Sequence, residues 1–277
     1  MKILAYNISS CTQQKLNELY KQKADVYVIP EMAKDVKIPD GYFLKWTGNY
    51  ESKGLGIIYK NADVPDCYDE TLSYAIPLRY GDLFILAFWP TKIDKSESYT
   101  QIAKRILNHY SSELKAHNSI ITGDFNLYHK NDKPNKDADI LEIDKLLQSF
   151  GMKSVYHELR GESFGNETKK TYFHQFKEDN PFFLDYTYCT QKNLQIKNYE
   201  LLPWDKDFSD HRGQVIEIWG MNVEQEIIIT LQELGDTKDF AIHYISDRNS
   251  LKLTQKEIIE INQKIADKRV PNFSRPY

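Results

Sequence analysis

The chain has 277 residues and a mass of 32.6 kDa, room for one large α/β domain, or for one domain with a small appendage. It is 41% hydrophobic and 27% charged, as soluble globular proteins are, and no apolar run approaches the roughly 18 residues of a membrane span. A net charge of -4 and a sequence pI of about 6.0 exclude a whole-molecule basic field, so any polyanion must be met by local patches.

Residues 2–8 (KILAYNI) alternate and are β-rich, which predicts a strand ending at Asn7. The apolar start is too short for an export signal or a lipid-modified Cys11, and polar Asn7 and Ser9 follow at once, so a cytoplasmic protein is expected. Cys11, Cys67 and Cys189 are odd in number and far apart, which fits reduced thiols and neither a metal-type spacing nor a disulfide framework. Leu16, Leu19 and Tyr20 stand at helical spacing in 12–23, with Thr12 as N-cap. A second buried strand covers 24–32; Pro30 is expected to stop its ladder, leaving Glu31 just beyond. Further buried strands are expected at 54–60 and 82–90, then an amphipathic helix at 100–117.

SIITGDFN, residues 119–126, is the stretch around which the chain is organised. Ile120 and Ile121 end a buried strand, and Gly123 allows a sharp turn and a close approach. Alternation along an extended chain would put Asp124 and Asn126 on one face and Phe125 on the other. A carboxylate and an amide sharing a strand end suit holding water or metal against a phosphate; a strand closing in a polar turn is the plain alternative. A helix follows at about 137–150, with Gly151 as its C-cap.

The second half reads as strands at 153–159, 170–176, 182–190, 194–202 and 214–220. Between the last two, WDKDFSDHRG (204–213) carries Asp205, Asp207, Asp210 and His211. After Gly220 the character shifts: residues 222–277 offer two apolar strands, a helix opened by a Thr254/Glu257 capping box, and a basic, aromatic tail. The chain therefore divides into a catalytic domain, 1–221, and a small C-terminal α+β appendage, 222–277, expected to dock on it.

Asn7, Glu31, Asp124, Asn126, Asp185, Asp210 and His211 each follow or interrupt an apolar β run. Singly each is ordinary; seven together at strand ends are much harder to dismiss. Oxygen-rich groups without thiolate partners favour Mg²⁺, Mn²⁺ or Ca²⁺ over zinc. A histidine beside an aspartate, with another aspartate from a neighbouring strand, is a way to orient and charge-tune an imidazole.

The ordered set YNI, PEM, GDFN, LDY and SDH resembles the metal-dependent endonuclease/exonuclease/phosphatase superfamily over about residues 1–220. The resemblance implies a four-layered α/β sandwich, two central, mostly antiparallel sheets flanked by helices, with the site at one open edge. It implies Glu31 as the main Mg²⁺ (or Mn²⁺) ligand, helped by Asn7 and Asp210. Asp124 would orient or deprotonate the attacking water, and Asn126 would hold a phosphate oxygen or the nucleophile. His211 would bind the scissile phosphate and stabilise its growing charge, or act as general acid or base, with Asp185 keeping it oriented. Two positions depart from the family pattern. Phe88 and Trp89 stand where Tyr or His is common, and Gly213 stands where Pro usually follows SDH. Leaving-group protonation then falls to another residue, His129, His174 and Tyr172 being available.

The expected partner is nucleic acid, DNA or RNA, and not a membrane. Lys130, Lys133 and Lys136 follow GDFN, Lys169 and Lys170 precede a later strand, and Trp46, Tyr50, Trp89 and Trp204 sit in or near loops that suit base stacking. The competing enzyme class is hydrolysis of a small or lipid phosphoester of the inositol phosphate or sphingomyelin type. A non-catalytic binding module on the same scaffold would have lost site residues, and none of the seven is lost.

Overall fold

The computed structural model describes residues 1–93, 96–129, 138–190 and 196–218. The strands, capped helix and tail expected within 222–277 lie outside the described residues, as do Lys130, Lys133 and Lys136.

The first buried run forms β1 (Lys2–Ala5), which crosses through α1 (Gln13–Tyr20) to the parallel strand β2 (Val26–Met32). Parallel neighbours need such a crossover. Thr12 caps α1 as expected, its hydroxyl accepting from the Lys15 amide at 3.2 Å. β3 (Phe43–Tyr50) and β4 (Lys53–Tyr59) form a hairpin laid antiparallel on β2. β5 (Ala75–Tyr80) and β6 (Leu83–Phe88) form a second hairpin. β6 then crosses through α2 (Tyr99–His109) and α3 (Ser111–Ala116) to the parallel strand β7 (Asn118–Asp124). There follow α4 (Ile140–Ser149), β8 (Met152–Ser154), α5 (Val155–Arg160), the short β9 (Tyr172–Phe173) and β10 (Pro181–Phe182), and β11 (Asp185–Thr190), β12 (Ile196–Leu201) and β13 (Gln214–Ile218).

These strands make a six-stranded sheet, β12-β13-β1-β2-β4-β3, and a five-stranded sheet, β5-β6-β7-β11-β8. Each has one parallel pair and is otherwise antiparallel. The layers follow from side-chain alternation. Ile3, Ala5, Val26 and Val28 of the first sheet pack with Ile76, Leu78, Ile85 and Ala87 of the second. Their strand neighbours Leu4, Tyr27 and Ile29 face away and bury Leu16 and Leu19 of α1. On the far side, Phe84, Leu86, Phe88 and Ile121 meet Ile102, Ile106, Leu107, Ile140 and Ile143 of α2 and α4. Three apolar interfaces separate four layers, so the expected α/β sandwich is the fold.

Several expected elements differ. The helix of 100–117 breaks at Tyr110, whose ψ of 9° divides α2 from α3. Residues 153–159 are mostly helical: β8 ends at Ser154, and α5 stops at Gly161, whose φ of 66° makes a left-handed cap. Residues 182–190 are two strands, because Thr171 Oγ1 takes the amides of Leu184 and Asp185 out of any ladder, at 2.9 and 3.0 Å. β3 and β5 escaped the sequence; both are edge strands, and Pro77 in β5 is tolerated there because an edge needs fewer ladder donors.

Candidate active site

The parallel strands β1, β2 and β7 point their C-terminal ends the same way, and the antiparallel strands β11 and β13 begin there. Side-chain contacts thus bring Asn7, Glu31, Asp124, Asp185 and His211 together at strand ends of both sheets. Asp185 lies directly opposite Asp124 in the β11–β7 register. Like charges in that position destabilise a sheet, so something must bind them.

His211 does so. Its Nδ1 meets Asp185 Oδ2 at 2.9 Å and Oδ1 at 3.2 Å, and its Nε2 lies 4.0 Å from Asp124 Oδ2. All three residues are buried. Burial works against a charged imidazole, but Asp185 and Asp124 outweigh it and raise the pKa to about 10. Burial, joined by the charge of Asp185, pushes the Asp124 carboxyl up to about 7, against the pull of His211 and two hydrogen bonds. The Asp185–His211–Asp124 row therefore holds a charged imidazolium between an orienting carboxylate and one whose affinity for a proton suits a base at neutral pH.

Asn7 carries the row toward Glu31. Its Nδ2 donates to Asp124 Oδ2 at 3.0 Å and to Glu31 Oε1 at 3.4 Å, while its Oδ1 accepts from the Ser9 amide at 3.0 Å. Lys15 Nζ holds the loop after Asn7 by donating to the carbonyls of Ile8 and Ser9. The ladder of β2 does not stop at Pro30; it runs to Met32 with a bulge, and Glu31 is the bulged residue with a φ of +62°. The extra residue turns this side chain out of the ladder, where Lys53 Nζ meets its Oε2 at 3.0 Å.

Asn126 is not on an extended continuation of β7. The strand ends at Asp124, and Asn126 has a φ of +52° in a turn closed by its own amide donating to Asp124 Oδ1 at 2.9 Å. Its Nδ2 donates to the Pro90 carbonyl at 3.1 Å. Phe125 does face away, buried against Phe88, Tyr186 and Tyr188. Gly123 is required, because its φ is +146° and a Cβ there would lie 2.1 Å from the Phe88 carbonyl oxygen. Gly213 has a parallel role, since a Cβ would press on the Tyr6 ring at 2.6 Å.

Supporting residues escaped the sequence reading. Ser209, fully buried, donates from Oγ to the Asn7 carbonyl at 2.7 Å and accepts from the His211 amide at 3.1 Å, joining the first and last strand ends. Thr171, Lys53 and Lys15 are the others; Ser209 alone had a signal, its place in SDH. Of the aromatics expected to stack bases, Trp89 is core, 3% exposed and edge-on to Tyr74. Trp204 stacks on Phe173 at 4.0 Å and donates to the Ser209 carbonyl, and Trp46 donates to Met32. Tyr50, at the β3–β4 tip, is 73% exposed.

The donors suit a hard divalent cation on the Glu31 side. Glu31 and Asp124 share one amide, and Asp210 adds to the negative field felt by His211, Lys15 and Tyr172. Asp124, Asp185 and His211 also bring one ligand atom each within 4.8 Å of one another. That cluster is the poorer cage, because a protonated imidazole has no lone pair to give. Lys130 and Lys133, expected to bind substrate, lie outside the described residues. No helix among the described residues is long and apolar enough to cross a membrane.

No family model matches the chain, and no curated protein sequence does. Solved structures match in fold. The 3′ phosphatase NExo from Neisseria, bound to a product DNA hairpin, aligns with a TM-score of 0.60 at 15% identity, over 79% of this chain and 100% of that one. The endonuclease domain of TRAS1, a telomere-specific non-LTR retrotransposon, gives 0.56 at 16% identity over 80% and 99%. The AP endonuclease LMAP from Leishmania major gives 0.60 at 12% identity over 78% and 86%. The chain shares the fold of these phosphatase and endonuclease structures.

Proposed function

We propose that this chain is a divalent-metal-dependent phosphodiesterase that hydrolyses nucleic acid by in-line attack of water. One observation carries the reading: a charged imidazolium fixed between Asp185 and Asp124, with Asn7 linking Asp124 to Glu31, at the strand ends of a fold shared with nucleases. Glu31, with Asn7 hydrogen-bonded to it and Asp210 in the same negative field, would hold Mg²⁺ or Mn²⁺. A bound divalent cation supplies Lewis-acid stabilisation of the phosphoryl oxygens. Asp124 orients the attacking water and accepts its proton, for which a pKa of about 7 is apt. His211 meets the negative charge that grows on the phosphoryl oxygens, and Asp185 keeps it charged and aimed. Asn126, set by its turn beside Asp124, holds the water or a phosphate oxygen.

The test is a panel of single- and double-stranded DNA, RNA, an inositol phosphate and a choline phosphodiester, each with Mg²⁺, with Mn²⁺ and with chelator. Cleavage of a nucleic acid is expected, lost in chelator and reduced about 10²–10⁴-fold in a folded His211→Ala protein. Rapid hydrolysis of the small phosphoesters alone would move the assignment to that class. Turnover of none would leave a binding module.

A further inference from the structure

We propose that Tyr172 is the general acid of this reaction, donating its hydroxyl proton to the departing ester oxygen, and that His174 returns a proton to it. The inference rests on the phosphodiesterase reading above. A sugar oxygen leaves as an alkoxide unless a proton meets it, and the groups already assigned have other tasks. Asp124 takes a proton, and His211 is committed at Nδ1 to Asp185 and faces Asp124 with Nε2. Phe88 and Trp89 are buried, and the former carries no exchangeable proton.

Tyr172 stands beside the row. Its ring centroid lies 4.7 Å from that of His211, and an isolated antiparallel bridge joins the two backbones. The charges of Asp210, Asp124 and Glu31 all act on its hydroxyl, so the phenol shares the field of the same carboxylates. Burial, chiefly, and these charges raise its pKa to about 12, so it keeps its proton at neutral pH and is still a far weaker base than an alkoxide.

The hydroxyl has a proton partner of its own. Tyr172 Oη and His174 Nδ1 are 2.8 Å apart, and His174 is exposed to solvent. Directly after His174, Gln175 and Phe176 both adopt left-handed backbone, with φ of 55° and 59°, in a non-glycine pair.

The proton balance closes. The P–O bond to the leaving oxygen breaks with its electron pair on that oxygen, which takes the Tyr172 hydroxyl proton. The phenolate is refilled through the ring of His174, whose Nδ1 it touches and which exchanges protons with solvent. Asp124 has meanwhile taken a proton from the attacking water, so one water is consumed per bond cleaved.

The experiment compares two substrates in Mg²⁺: a short oligodeoxynucleotide, whose leaving group is an alkoxide, and the p-nitrophenyl ester of thymidine monophosphate, whose leaving group needs no acid. Tyr172→Phe should lower kcat about 10²-fold on the oligonucleotide and less than about 3-fold on the nitrophenyl ester. Across a series of aryl esters, its rates should depend more steeply on leaving-group acidity than those of the wild type. His174→Gln, on an exposed turn, should show the same selectivity with a smaller loss, and it keeps the test open should Tyr172→Phe not fold. Equal losses on both substrates, or no loss on the oligonucleotide, overturn the proposal while the phosphodiesterase reading stands. A wild-type protein that cleaves neither of these substrates nor RNA overturns both.

Discussion

Replacing Asp185 with Asn isolates the charge of the His211 partner from its shape. Asn offers an oxygen to the same Nδ1–H, now 2.9 Å from Asp185 Oδ2, and fits the same space. Only the carboxylate charge is lost. Unit charges about 4 Å apart attract by about 4 kcal/mol at an effective dielectric of about 20. Relief of the Asp185–Asp124 repulsion returns part of this, since Asp185 is one of the groups that raise the Asp124 pKa. The expected loss is about 3 kcal/mol, at the low end of the range for breaking a buried ion pair. It should depend on pH in one direction. The folded pKa of His211 is raised from 6.5 to about 10, so its contribution is complete below about 6.5 and disappears as pH rises through 10. Urea unfolding in chelator should show the full difference between wild type and Asp185→Asn at pH 6, and little of it at pH 10. A difference that stays constant across this range, or a variant as stable as the wild type at pH 6, would refute the charged pair.

Three further perturbations follow. Glu31→Ala should weaken Mn²⁺ binding, read by titration calorimetry, at least about 10-fold and should raise the Mg²⁺ needed for turnover; full activity at low Mg²⁺ would remove Glu31 from the cation site. Glu167 is buried, yet hydrogen bonds from His157, Lys170 and the Gly165 amide overcome burial and hold its pKa at about 2, below the ordinary 4.5. The stability this gives, about 2 kcal/mol after allowance for solvent screening, is present above pH 4.5 and lost as pH falls through 2, so Glu167→Gln should cost that much at pH 7 and nothing near pH 2 in denaturant titrations. Replacing Lys130, Lys133 and Lys136 together with Gln should raise KM for nucleic acid and flatten its salt dependence, with less effect on kcat; an unchanged salt slope would place the phosphate contacts elsewhere.

The fold was legible where one physical signal dominated. Buried β-branched runs marked β1, β2, β4, β6 and β7, and Thr12 and Gly151 marked helix ends that the structure uses. It was illegible where local pattern and tertiary demand disagree. The 153–159 stretch alternates like a strand, but the left-handed Gly161 and the buried faces of Val155 and Tyr156 favour a turn and a half of helix. Trp89 looked like a stacking residue because it ends a strand, yet it lies between the sheets. In the candidate site, residue type and order singled out seven polar groups, of which side-chain contacts bring Asn7, Glu31, Asp124, Asp185 and His211 together; what each touches could not be read. Glu31 depends on a bulge and Asn126 on a left-handed turn, both backbone events that leave no pattern in side-chain alternation. Lys53 and Thr171 act through neighbours distant in sequence, so neither carried a local signal.

These backbone departures and the opposed carboxylates belong to one design. Asp124 across from Asp185 weakens the β7–β11 pair, and left-handed φ at Glu31 and Asn126 adds strain. None of these features serves folding. They sit against closely packed structure: behind Asp124 the Phe125 ring is wedged among Phe88, Tyr186 and Tyr188, and behind His211 the Ser209 hydroxyl ties the loop to the Asn7 carbonyl just after β1. A core that packed is able to hold two carboxylates and an imidazolium in fixed array before any phosphate arrives. The reorganisation that water would need around the same charges is then already done, and this preorganisation is what the proposed phosphodiesterase chemistry requires of its protein.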